Sequence, residues 1–144
     1  MKAAAELDLQ PGCPDADEYR SLRVAAGLSP KTRAAAEKGL PGTLYAVCVR
    51  DAERLVGMGR IVGDGGLNYE VVDMAVHPDY QRRGIGYRIM EMLMAWLDEH
   101  APESAYVSLI ADHGAPALYE KFGFNFTAPV SVGMALTIRR DTAH

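Results

Sequence analysis

Two arginines and two glycines stand together in Gln81-Arg82-Arg83-Gly84-Ile85-Gly86. That grouping is suited to holding a pyrophosphate. Gly84 and Gly86 have no Cβ, so an anion can approach the main chain and the loop can take tight dihedrals. A helix opening at these glycines presents amides with no intrahelical acceptor and the positive end of its dipole. Arg82 and Arg83 add charge and forked donors. Helix N-termini ordinarily favour acidic residues, so two arginines here argue for an anionic ligand over a solvated turn. Upstream, Val72-Asp73-Met74-Ala75-Val76 reads as an apolar strand that enters the loop through His77-Pro78. Glu70 and Asp73 are the carboxylates on that strand, and strict alternation sets them on opposite faces.

The elements that must position these groups follow from pattern. Residues 4–9 are a short candidate strand broken by Pro11, Gly12 and Pro14. Residues 15–26 read as a helix with an acidic first turn ended by Gly27, and residues 30–38 as a second short helix. Residues 43–50 and 55–62 are strands joined by Asp51-Ala52-Glu53-Arg54. After the turn Gly63-Asp64-Gly65-Gly66, residues 69–77 form the strand that carries Glu70 and Asp73. Residues 84–99 form a helix whose stripe Ile85, Ile89, Met92, Leu93, Trp96 and Leu97 should be buried. Met90, Met92 and Met94 read as core filler. Residues 106–110 are a strand, 115–122 a helix, and 126–138 hold one or two final strands. The expected class is α/β, one mixed sheet with helices on both faces.

Bulk properties narrow the function classes. The chain of 144 residues is expected to be one domain spanning 1–144. A net charge of −4 disfavours nucleic acid as the main partner. The basic loop is a local exception in an acidic protein, which suits a small anionic ligand. Cys13 and Cys48 have no metal-ligand spacing and read as reduced thiols; no metal is expected. With neither a signal peptide nor a spanning apolar run in the pattern, the expected compartment is the cytoplasm and no membrane partner is expected.

The string Ala75-Val76-His77-Pro78 followed by Gln81-Arg82-Arg83-Gly84-Ile85-Gly86 resembles the acetyl-CoA signature of the GCN5-related N-acetyltransferases (GNAT). Downstream, Asp112-His113-Gly114-Ala115-Pro116-Ala117-Leu118-Tyr119-Glu120-Lys121-Phe122-Gly123-Phe124 is similar to that family's Asn-x-x-Ala-x-x-Leu-Tyr-Glu-Lys-x-Gly-Phe segment. Asp112 stands where Asn is usual. The likeness is specific over residues 69–126 and general on either side.

The resemblance implies the GNAT acyl-CoA N-acyltransferase fold, a central mixed sheet of about six to seven strands flanked by about four helices. It implies acetyl-CoA as cosubstrate, with Gln81, Arg82, Arg83, Gly84, Ile85 and Gly86 around the pyrophosphate and Asp112 and Tyr119 beside the cofactor. It also implies a bulged strand whose amides, within Met74, Ala75 and Val76, pair with the pantetheine arm and the acetyl oxygen. Removing one such backbone donor costs about 10²–10³ in rate in other enzymes.

Tyr119 matches the tyrosine that donates to the cofactor sulfur, and a phenol of pKa ~10 suits a thiolate of roughly 8.5–10. Its other reading is an aromatic packing a helix end. Glu70, six residues before Val76, resembles the catalytic glutamate of the histone-acetylating branch and would deprotonate the amine through water. Val72 stands where the polyamine-acetylating branch has its base. Asp73, or water alone, stays open as the base, and His77 reads as structural.

The resemblance implies an acetyl-CoA-dependent N-acetyltransferase acting on a primary amine of a small molecule or peptide by direct transfer in a ternary complex. A non-catalytic acetyl-CoA-binding sensor on the same fold is the alternative. A nucleotide-binding loop is disfavoured, since no Gly-Lys-Ser/Thr ending is present. In this fold the acceptor pocket draws on the first two helices and the later loops, here near Leu28, Pro30, Tyr45 and Met134. A homodimer is expected from family habit and from the apolar run from Pro129 to Ile138, which could pair at a sheet edge.

Overall fold

The computed structural model describes residues 6–112 and 115–140. Its order is β1 (Asp8–Pro11), α1 (Ala16–Ala25), α2 (Arg33–Gly39), β2 (Tyr45–Asp51), β3 (Arg54–Gly63), β4 (Asn68–Val76), α3 (Ile85–His100), β5 (Tyr106–Ser108) and α4 (Pro116–Glu120), with short 3₁₀ turns at Leu40–Gly42 and Pro78–Tyr80. The strands lie in the order β1-β2-β3-β4-β5, antiparallel except for the parallel β4–β5 pair.

The helices begin and end where their sequence dictates. Asp15 and Glu18 close a reciprocal capping box on α1, each accepting from the other's backbone N–H at 2.9 Å. Thr32 caps α2 through Ala35. In α3 the buried stripe is Ile85, Ile89, Met90, Leu93 and Leu97, while Met92 and Trp96 are only partly buried. That stripe packs on one face of the sheet against Val47, Val49, Val56, Ile61 and Val71. On the other face α1, α2 and the 3₁₀ turn after α2 bury Tyr19, Leu22, Ala36 and Leu40 against Cys48, Leu55, Met58 and Ala75. The expected helices on both faces are therefore present.

Three expectations are corrected. The sheet has five strands among the described residues, not six to seven. Residues 126–138, expected to hold one or two strands, form none, and their apolar side chains are exposed. The first strand lies at Asp8–Pro11, later than residues 4–9; of that span, residues 4 and 5 are outside the described residues. His113 and Gly114 of the second motif are also outside them.

Candidate active site

Two irregularities of the sheet build the site. β4 and β5 pair only over Asn68↔Tyr106, Tyr69↔Val107 and Glu70↔Ser108. β5 then ends while β4 runs on to Val76, so the strands part and one edge of residues 72–76 has no strand partner among the described residues. The second irregularity is a bulge. Arg60 faces Val72 and Met58 faces Ala75, which leaves one extra residue on β4. Asp73 sits there with φ 56°, in the left-handed region that a side chain rarely adopts.

The bulge corrects the alternation argument. Before it, Tyr69 and Val71 face α3; after it, Met74 and Val76 do. Glu70 and Asp73 therefore line the same cleft instead of pointing to opposite faces. An inserted residue reverses the pleat, and alternation cannot be carried across it.

Asp73 is fully engaged. Arg23 donates to Oδ1 at 2.5 Å, Arg60 donates to Oδ2 at 2.8 Å, and Tyr19 donates to Oδ2 at 3.0 Å. Arg23 also donates to the Ser29 carbonyl and hydroxyl, and Arg60 to the Thr43 hydroxyl. Burial, and then the Asp73 carboxylate, push the Tyr19 phenol above its ordinary value. These bonds join α1, the loop after it and β3 to the bulge. Sequence reasoning missed Tyr19, Arg23 and Arg60; the available signal was an arginine inside the apolar strand β3. Asp73→Ala is expected to cost roughly 3–5 kcal/mol, because two buried guanidiniums lose their shared counter-charge. Denaturant unfolding of the two proteins measures it, and an unchanged midpoint would remove the clamp from the account.

The Gly-rich loop has the expected form. Arg82 and Gly84 are left-handed, at φ 64° and 77°. Gly84 occupies the N-cap of α3 with no side chain bonded to the first turn and no acidic residue in it. A Cβ on Gly84 would meet nothing within 4 Å, so the approach to these amides is open. Ile85 is buried and anchors α3, and Arg82 is exposed. Arg83 is committed to the loop: it donates to the Asp79 carbonyl and lies over the Tyr80 ring, 4.9 Å from its centroid. Gln81 donates to the Val76 carbonyl at 3.0 Å and ties the loop to the end of β4. His77 is engaged within the turn: Nδ1 accepts from the Asp79 N–H at 3.1 Å and the Arg54 guanidinium meets Nε2 at 3.0 Å.

A cleft of about 1010 Å³ runs between the parted strands, lined by residues 70–76, Gln81, Ile110, Asp112, Ala115 and Tyr119. Leu28 and Arg23 form its wall on the α1 side. Tyr119 is 8% exposed, its ring packed edge-on to Phe124 at 6.3 Å. Burial, then the Asp112 charge, raise its phenol above the ordinary value. A second groove, about 410 Å³, shares Glu70 and Tyr119 with the first and continues past Ser108, Ile110 and Met134. Glu70 thus stands where the strands part, half-buried, and no ion pair holds it among the described residues. Tyr45 is not at the cleft; it stacks on Trp96 of α3 at 5.4 Å.

A sheet split at β4–β5, a bulge on β4 and an open helix N-terminus beside the split together frame an acetyltransferase-type site, the class that the comparisons bear out. The acetyltransferase (GNAT) domain model matches residues 41–126, and the chain belongs to the GCN5-related N-acetyltransferase family. In structure it is similar to SA2161 of meticillin-resistant Staphylococcus aureus, described as a "Probable Acetyltransferase" of unknown function. The two share 48% identity with a TM-score of 0.89, over 92% of this chain and 99% of that one. In sequence it is 35% identical over 71 residues to the uncharacterized N-acetyltransferase ycf52 of Porphyra purpurea, 49% of this chain and 40% of that protein. It is 39% identical over 54 residues to the ribosomal protein bS18-alanine N-acetyltransferase of Escherichia coli K12, 37% of this chain and 36% of that protein. The chain thus spans well under half the length of these two curated relatives.

Proposed function

We propose that the chain is an acetyl-CoA-dependent N-acetyltransferase, one domain over residues 1–144, that acetylates a primary amine of a small molecule or peptide by direct transfer in a ternary complex. The observation that carries this reading is the junction at which an open α3 N-terminus, the unpaired edge of residues 72–76 and Tyr119 share one cleft. The residues fit acetyl-CoA. Gly84, Ile85, Gly86, Arg82 and Gln81 would hold the pyrophosphate, with Arg83 bracing the loop. Met74, Ala75 and Val76 would bond the pantetheine arm, and Asp112 would lie beside it. When bound, acetyl-CoA supplies an activated acetyl group on a thiol leaving group.

The chain's own groups then divide the work. Backbone N–H groups within 74–76 stabilise negative charge on the acetyl oxygen, and the Asp73 clamp holds them in place. Glu70 accepts the amine proton through water. Asp73 cannot share this role, since both its oxygens already accept from cations. Tyr119 gives its hydroxyl proton to the departing sulfur. The amine enters past Leu28 and Glu70. A peptide amine is consistent with the bS18-alanine enzyme among the relatives. A cytoplasmic setting suits the free thiols of Cys13 and Cys48, and a homodimer is the proposed assembly.

The deciding experiment is acetyl-CoA turnover over a panel of small amines and peptides, read as free thiol. Thiol release that depends on no amine would overturn the transfer reading. With an acceptor in hand, Glu70→Gln is expected to lower kcat/KM by about 10²–10⁴ at neutral pH, the range for a lost general base. The loss should shrink as rising pH deprotonates the amine without help. A pH-independent ratio of the two rates would remove Glu70 as the base.

A further inference from the structure

The cleft has a branch on its α1 side. A recess of about 230 Å³ adjoins it, and Tyr19, Lys31 and Arg60 line both. Ala35 and Gly39 wall the recess from α2; they stand four residues apart on one helix face, and their small size leaves the space open. Among the described residues the recess is lined by two cations, Lys31 and Arg60, and by no carboxylate. The carboxylates of the larger cleft are Glu70, Asp73 and Asp112. Asp73 already accepts from Arg23 and Arg60, and Asp112 acts on the Tyr119 side.

Both cations are held in place without being used up. Arg60 donates through Nε to Asp73 and through Nη1 to Thr43, and its Nη2 has no bond among the described residues. The loop that carries Lys31 is pinned from α1. Arg23 donates to the Ser29 carbonyl and hydroxyl, and Arg20 donates to the Lys31 carbonyl at 2.8 Å. The next residue, Thr32, caps α2. The Lys31 backbone is thus fixed, while its ammonium makes no hydrogen bond or ion pair among the described residues. Such a pair of donors suits an anionic oxygen group. The sheet register sets its distance from Glu70. Arg60 faces Val72 and Val62 faces Glu70, so Arg60 and Glu70 share one face of the sheet. They are diagonal neighbours, about 7–8 Å apart at the backbone. One small molecule can reach both.

We propose that the acceptor is a small amine that also carries an anionic oxygen group, a carboxylate or a phosphate, which Lys31 and Arg60 hold while the amine faces Glu70. This rests on the acetyl-transfer reading, since it names the class of amine which that reaction takes. The anion has no part in the bond change: nitrogen replaces sulfur on the acetyl carbon, the amine proton passes to Glu70 through water, and the sulfur takes its proton from Tyr119. Lys31 and Arg60 set which amine is admitted. An amine whose far end is cationic meets like charge in the recess and is turned away.

The test sets anionic amines against neutral counterparts of the same length: β-alanine against β-alaninamide, γ-aminobutyrate against its amide, and ethanolamine phosphate against ethanolamine. In acetyl-CoA turnover the anionic member of at least one pair is expected to lead by about tenfold or more in kcat/KM. Lys31→Ala is expected to lower kcat/KM for that member by about 5–30-fold and to leave the neutral member within about twofold. Lys31→Glu is expected to reverse the preference. Lys31 is exposed, so both variants should keep the fold. Binding is read apart from turnover: in the ¹⁵N-labelled chain the amides of residues 29–39 are expected to shift with the anionic members and not with the neutral ones. The carboxylate and phosphate pairs tell the two anions apart. Pairs handled alike in turnover, or a Lys31→Ala protein that keeps the full preference, would overturn the anionic acceptor and leave acetyl transfer standing. Absence of both shifts and thiol release would overturn it too. Anion-specific shifts without thiol release would overturn the transfer reading instead and leave the anion recess standing.

Discussion

Tyr119→Phe is expected to lower kcat by about 10–10³-fold while leaving acetyl-CoA affinity within twofold, the loss of one positioned acid. The ring survives, so the edge-on contact with Phe124 and the burial of the helix end survive with it. Only the hydroxyl is removed, and the sulfur then departs as a bare thiolate. The pH profile gives a second readout. Burial raises the Tyr119 phenol above its ordinary value, so it keeps its proton through the neutral and mildly alkaline range. Activity that requires the protonated phenol is retained there and is lost as pH rises through that raised value. The Phe variant should lack this alkaline limb. A variant running at the parent rate, with chemistry shown to be rate-limiting, would leave Tyr119 a packing residue.

Gly84→Val is expected to weaken CoA binding by at least about 100-fold, the loss of two or more charge-assisted amide bonds at roughly 1.5 kcal/mol or more each. The fold should tolerate the change. A Cβ there meets nothing within 4 Å, and the cost is the left-handed φ of 77°, about 1–2 kcal/mol. The substituent instead adds bulk in open space at the N-cap of α3, where the bound phosphates are proposed to sit. Calorimetric titration with CoA measures the loss, and circular dichroism checks the fold. A pantetheine fragment without phosphates should bind parent and variant alike. Equal losses for CoA and the fragment, or unchanged CoA affinity, would place the pyrophosphate elsewhere. Arg82→Ala should follow the same pattern at a smaller scale, because Arg82 is exposed at the loop while Arg83 is engaged with Asp79 and Tyr80.

Much of the site was legible because its signals are local. The Gln81-to-Gly86 loop, the stripe on α3 and the capping residues of α1 each act within a few residues of themselves. Their types and spacing determine a left-handed turn, an open helix start and a buried face. The chain by itself thus determined the order of elements through α4 and the helices on both faces. It also singled out Tyr119 and Glu70, which line one cleft in the structure.

What only the tertiary structure decided depends on pairing between distant segments. The bulge at Asp73 is a mismatch between β3 and β4, and a single strand's pattern carries no record of its partner's register. Glu70 and Asp73 came to one cleft for that reason. Asp73 turned from a candidate base into a clamp because Tyr19, Arg23 and Arg60 arrive from 13 to 54 residues away. Arg83 turned inward to Tyr80, a choice that local charge could not reveal. The alternating run over residues 130–138 has the composition of a strand, yet a strand forms only where an edge receives it. Hydrophobic spacing states which face must be covered; the fold decides what is near enough to cover it.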